Sequence, residues 1–169
     1  MKANSTLKIV LLIALVVVAA AGYMNFSKKD VAPEVSFMTL GGETLTTNQL
    51  RGKVVLVNFW ATTCATCVAE MPKLADTYNR FKDKGYETIA VAMNYDPPNY
   101  VLAFAEKNQL PFKVALDAKN EVASGFGGVR LTPTSVLLDK QGRIVQRYLG
   151  EPDFAKLHAL VEKLLAEPA

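Results

Sequence analysis

Val54-Val55-Leu56-Val57-Asn58-Phe59-Trp60-Ala61-Thr62-Thr63-Cys64-Ala65-Thr66-Cys67 carries the only two cysteines of a 169-residue chain at the end of an apolar run. The run is apolar on both faces apart from Asn58, as a central parallel strand covered on both sides must be. Behind the cysteines, Cys67, Met71, Leu74, Tyr78 and Phe81 recur at helical spacing and make one stripe. Pro72 lies inside that pattern and is expected to kink the helix. The Cys-x-x-Cys pair thus falls at a strand-to-helix junction, where free amides and the positive end of the helix dipole stabilise a thiolate on the first cysteine. The second cysteine sits one turn on, along the same face and within disulfide reach. A loop of two residues constrains the unfolded chain very little, so such a bridge is a poor staple and a good switch. The pattern points to dithiol–disulfide exchange.

Working outward, the N-terminus is a separate piece. Ile9 to Ala21 is an unbroken apolar run, extending to Met24, with Lys2 and Lys8 ahead of it, and it reads as an export signal. Ala19-Ala20-Ala21 offers a cleavage site. The length of the core, with Tyr23 and Phe26 at its far end, favours a retained single-pass anchor over residues 9–24. The expected organisation is a signal-anchor and tether over residues 1–30 and one domain over 31–169. Partitioning the charge supports this division. The formal net charge is +3, and residues 1–30 hold four lysines against Asp30, so the remaining 15 basic and 15 acidic residues balance. The basicity belongs to the membrane end and is no evidence for nucleic acid.

The domain reads as follows. Val35–Met38 and Thr44–Thr46 alternate about Gly41-Gly42 as a hairpin. After the central strand and its helix, Thr88–Met93 is a second buried strand, and Asp96-Pro97-Pro98-Asn99 opens a helix to about Asn108 with Val101 and Phe104 inward. Val114–Leu116 is a short strand, Glu121–Phe126 a short helix ended by Gly127-Gly128, and Thr134–Asp139 with Arg143–Leu149 a second hairpin. Phe154, Leu157, Leu160, Val161, Leu164 and Leu165 stripe a final helix beginning near Asp153. The order implies an α/β fold, a mixed sheet with helices on both faces.

With these residues placed, the chain resembles the TlpA-like, membrane-tethered branch of the thioredoxin superfamily over about residues 32–166. The resemblance rests on Ala32-Pro33 with Phe37, on Leu50 and Gly52-Lys53 running into Val54–Ala61, on Cys64-x-x-Cys67 followed by Glu70-Met71-Pro72, on Thr132-Pro133 before a strand, and on the helix–strand insertion around 97–116. It implies a thioredoxin-like fold and the activity of a thiol:disulfide oxidoreductase. Cys64 is then the exposed nucleophile that forms a mixed disulfide, and Cys67 the buried thiol that resolves it. Pro133 is expected in the cis form, with Thr132 facing Cys64, and Trp60 flanking the active-site loop. Many thioredoxins carry a buried Asp where this chain has Asn58, so another carboxylate must move the resolving proton. Asp96 is a candidate, although Tyr95 competes for that alignment. Thr63 stands where relatives usually place an aromatic, and Ala65-Thr66 where Gly-Pro or Glu-Pro is common. Thiol acidity and potential therefore do not transfer.

The implied partners are exported proteins bearing disulfides or dithiols and a membrane electron-donor protein, in the bacterial periplasm or its equivalent. A reductant role, in cytochrome c or other metalloprotein maturation, is the leading expectation; an oxidant of exported thiols would use the same residues. No cofactor is expected. A metal site lacks ligands, since His158 is the only histidine, and Val68 stands where haem attachment needs His. His158 reads as a surface residue beside the apolar stripe, Glu70 as a helix-surface or ion-pairing residue, and Asn58 as paired with backbone in the core. A thiol peroxidase would want Thr and Pro before the reactive cysteine, but Ala61 lies three before Cys64 and no Pro is near. A binding module on the same scaffold would not need the cysteines.

Overall fold

The computed structural model of the chain describes Leu11 and residues 30–168. Apart from Leu11, the anchor expected over residues 9–24 lies outside the described residues. Among the described residues no helix is long and apolar enough to cross a membrane.

From Val31 onward the chain packs as one compact unit. Strands β1 (Ser36–Thr39) and β2 (Thr44–Thr46) form the first hairpin. Strand β3 (Val54–Trp60), helix α1 (Ala65–Phe81) and strand β4 (Tyr86–Ala92) make a parallel βαβ unit. Helix α2 (Pro98–Lys107) and strand β5 (Lys113–Leu116) supply the insertion, and β5 joins β4 in parallel. Helix α3 (Glu121–Gly125) is followed by β6 (Thr134–Leu138), β7 (Ile144–Leu149) and helix α4 (Phe154–Ala166). The seven strands form one mixed sheet in the order β2-β1-β5-β4-β3-β6-β7, with β3 near its centre. Helix α1 runs through Pro72 as one helix.

Period two along β3 divides the interior. Val54, Leu56 and Trp60 face a core completed by Met71, Leu74 and Phe81 of α1, Val101 of α2, and Leu157, Val161 and Leu164 of α4. Val55, Val57 and Phe59 face a second core with Phe37, Ile89, Val122 and Phe126. Every residue of β3 is buried, which is why its sequence does not alternate. Each large side chain sealed in this way contributes about 1.5–3 kcal/mol relative to exposure. That burial holds β3, and hence the residues that follow it, in place. Phe104 lies at the edge of the first core and not inside it, with its ring 5.2 Å from that of Trp60.

The stripe on α1 is more polar than expected. Glu70 and Thr77 are fully buried along with Cys67, Met71, Leu74 and Phe81, while Tyr78 sits at the rim. Thr77 explains where His158 lies. The Thr77 hydroxyl donates to the Lys73 carbonyl at 2.8 Å, so it accepts from His158 Nε2–H, also at 2.8 Å. The imidazole ring packs edge-on against Phe81 and Phe154, and Arg80 reaches Nδ1 at 3.4 Å. His158 is therefore half-buried beside the apolar stripe, where it bridges α4 and α1. The uncharged ring suits this slot because it accepts from Arg80, whereas a protonated ring would face that cation.

Burial, with Arg80 assisting and Glu162 opposing, holds the His158 pKa below its ordinary value. The unfolded chain then binds a proton more readily than the folded one. The stabilising contribution is present above about pH 6.5 and is lost as pH falls through the depressed folded value. Thermal unfolding between about pH 7.5 and about pH 5.5 is expected to show a smaller acid-side loss in His158→Gln, which keeps a donor for Thr77, than in the native chain. Identical pH dependence in both proteins would refute this.

Candidate active site

Strand β3 delivers the chain to the rim of the sheet at Trp60, and a tight turn reverses it into α1. The Cys64 amide donates to the Ala61 carbonyl at 3.1 Å, and the Val68 amide donates to the Cys64 carbonyl at 3.0 Å. Cys64 is the N-cap of α1, in extended conformation, and its sulfur accepts from the Cys67 amide at 3.2 Å. No acidic residue occupies the first turn of α1, so the positive end of its dipole is uncompensated there. A thiolate at Cys64 is stabilised by that amide and that dipole together. Cys64 and Cys67 form a disulfide with their Cα atoms 5.2 Å apart. Cys64 is half-buried and Cys67 is fully buried, so an incoming group has access to the first sulfur alone.

The other expected residues gather around this pair. The Thr132–Pro133 bond is cis. The Thr132 carbonyl oxygen lies 3.6 Å from Cys64 Sγ, and the Tyr95 hydroxyl is 3.4 Å from Thr132 Oγ1. Trp60 is wholly buried, and its carbonyl accepts from the Met93 amide at 3.0 Å. Tyr95 and Leu131 are exposed beside Thr132.

Two carboxyl groups lie near the pair in opposite circumstances. Asp96 is buried, and each of its oxygens accepts one hydrogen bond from Thr62 at 2.6 Å: Oδ2 from the amide and Oδ1 from the hydroxyl. It is a clamp on the loop that presents Cys64, and both of its oxygens are engaged in that task. Glu70 was expected on the helix surface, and the structure corrects this: it is fully buried. Its Oε1 accepts from Asn58 Nδ2 at 2.8 Å. Burial pushes its pKa from 4.5 up to about 7, against the Asn58 hydrogen bond, which lowers it; Glu151 adds to the rise and Lys73 opposes it. Glu70 follows Cys67 by three positions, which on a helix makes the two side chains neighbours. Their shared burial was legible in principle, because Cys67, Glu70, Leu74, Thr77 and Phe81 also recur at helical spacing. Asn58 is paired with side chains and not with backbone, since its other amide hydrogen goes to Ser135 Oγ at 3.0 Å.

The arrangement is that of a two-electron thiol–disulfide couple: one accessible sulfur at a helix N-terminus, one buried sulfur, and a buried carboxyl that titrates near neutrality. The comparisons with known proteins agree. The Redoxin family profile matches residues 27–161. The thiol-disulfide oxidoreductase ResA of Bacillus cereus is 32% identical over 163 residues, covering 90% of this chain and 93% of that protein. A solved structure of a thioredoxin candidate from Neisseria meningitidis superposes with a TM-score of 0.75 at 41% identity, over 81% of this chain and 91% of its own. The thioredoxin domain of a thiol-disulfide oxidoreductase from Bacteroides vulgatus does so with a TM-score of 0.70 at 30% identity, over 82% and 98%.

Removing the clamp has a defined consequence. Asp96→Ala leaves the Thr62 amide and hydroxyl without their acceptor and is expected to lower stability by about 1–3 kcal/mol in urea unfolding. Thr62→Val, which keeps the amide bond, is expected to lose a smaller part of that. If Asp96→Ala unfolds at the native urea midpoint, the clamp is not stabilising.

Proposed function

The chain belongs to the Redoxin family and is a thiol-disulfide oxidoreductase of thioredoxin-like fold built on the Cys64–Cys67 pair; from that premise we propose that it reduces disulfides in exported proteins from a membrane-tethered position. The observation that carries the catalytic reading is the capped, half-buried Cys64 sulfur beside a fully buried Cys67.

In the reduced protein the Cys64 thiolate attacks one sulfur of a client disulfide. A Cys64–client disulfide forms, and the other client sulfur leaves as a thiolate. Cys67 gives its proton to the Glu70 carboxylate and attacks Cys64, which releases the second client thiolate and closes the Cys64–Cys67 disulfide. Two electrons pass to the client, and the client thiolates take up protons. A carboxyl with a pKa of about 7 suits this transfer, because near neutral pH it is available in both forms. Asp96, whose oxygens are both engaged by Thr62, is better suited to holding the loop. Thr132 and Pro133 would line the approach of the client chain, and Trp60 would hold the loop from below. A membrane electron donor would regenerate the dithiol, and residues 1–30 would serve as signal-anchor and tether for the domain of residues 31–169. Clients in cytochrome c or other metalloprotein assembly fit a reductant so placed.

Cys67→Ser is expected to accumulate mixed disulfides on Cys64 when expressed with exported proteins, and Cys64→Ser to accumulate none; equal trapping by both variants would sink the assignment. Glu70→Gln should slow resolution by Cys67 roughly 10²-fold and abolish an inflection near pH 7 in its rate. The reductant direction requires a reduction potential nearer to the thioredoxin value than to that of strong oxidants, about −270 against about −120 mV.

A further inference from the structure

The polar group that meets Glu70 is more elaborate than burial requires. Asn58 sits in mid-β3 with no exposure, and the backbone there is already paired to β4 on one side and β6 on the other. An apolar residue would satisfy that position, and a buried amide without partners would cost stability. Here both amide hydrogens are used, one on Glu70 Oε1 at 2.8 Å and one on Ser135 Oγ at 3.0 Å. Ser135 is the register partner of Asn58 on β6, is itself fully buried, and lies two residues beyond Pro133. Three segments of the site thus meet at one amide: α1 with Cys67 and Glu70, β3 leading into the Cys64 loop, and β6 behind the loop that faces Cys64 Sγ.

We propose that Asn58 is a positioning residue for the resolving step, its amide holding the Glu70 carboxyl toward Cys67 and tying it through Ser135 to the strand that carries Thr132 and Pro133. This rests on the reading of Glu70 as the acceptor of the Cys67 proton. An N–H donated to a carboxyl oxygen favours the ionised form, which is the form able to take that proton. Burial acts in the opposite direction, and the amide keeps the base usable at neutral pH.

The test separates the two thiol steps in the reduced full chain. Mixing with excess dithiobis(nitrobenzoate) releases one thionitrobenzoate when Cys64 attacks and a second when Cys67 displaces it from Cys64, so stopped-flow absorbance reads the two steps as successive phases. Asn58→Leu is expected to move the pH midpoint of the second phase alkaline by about one unit, slowing that phase about five- to tenfold at neutral pH and leaving the first phase unchanged. Asn58→Asp keeps the shape but sets a second carboxyl against Glu70, where the two share a proton; its shift should be in the same direction and larger. Ser135→Ala, which frees the amide without removing it, should shift the midpoint less than either. Unshifted midpoints in both Asn58 variants, or equal slowing of both phases, would overturn the proposal even if Glu70→Gln abolishes the inflection. Persistence of the inflection in Glu70→Gln would instead overturn the reading of Glu70 itself.

Discussion

A sulfur atom capping a helix is the interaction on which the rest of the structure depends. Cys64 occupies the N-cap of α1 and accepts the Cys67 amide, a role usually filled by Ser, Thr, Asp or Asn. The same contact satisfies a helix-end donor, brings the two cysteines within bonding reach, and places the Cys64 sulfur at the positive end of the dipole. It requires that β3 stop and α1 start within four residues. That geometry holds because β3 is buried on both faces near the middle of a seven-stranded sheet and α1 is sealed against it by Met71, Leu74 and Phe81. The cores are thus the condition for the chemistry: loss of registry between β3 and α1 would separate the cap from its amide.

Beneath this junction the protein places two carboxyl groups whose surroundings separate their duties. Asp96 is supplied with two donors by Thr62 and secures the loop. Glu70 has one donor, Asn58, in an otherwise desolvating setting, and burial raises its pKa to about 7. At Glu70, hydrogen bonding to the charged form and removal from water act in opposite directions, and removal from water prevails. Two carboxyl groups near one reactive pair thus differ in environment and not in residue class: one is doubly hydrogen-bonded to the loop, the other buried with a single donor.

Much of the fold was readable from local pattern. The uniform apolar run of β3, the helical stripes of α1 and α4, the glycine-marked hairpins and the Pro-initiated α2 each depend on neighbours in sequence, and each element lies within a few residues of where the pattern put it. The reactive pair was readable for the same reason, since its spacing and its position between strand and helix are local facts. Polar residues were harder to place. Glu70 and His158 carry side chains that usually face water; the helical series Cys67, Glu70, Leu74, Thr77 and Phe81 allows Glu70 to be buried, but nothing local names the partner that either residue meets.

The polar pairings come in large part from segments distant in the chain. Asn58 meets Ser135 across 77 positions, Thr77 meets His158 across 81, and Thr62 meets Asp96 across 34. Residue spacing along the chain was enough to establish that a Cys-x-x-Cys exchange centre stands at the start of a helix on a covered sheet. Folding alone could decide which carboxyl is hydrogen-bonded to the loop and which is buried on α1 with its pKa raised. A pKa depends on the dielectric and the donors that surround a group in three dimensions, and those come from strands and helices that only the tertiary structure brings together.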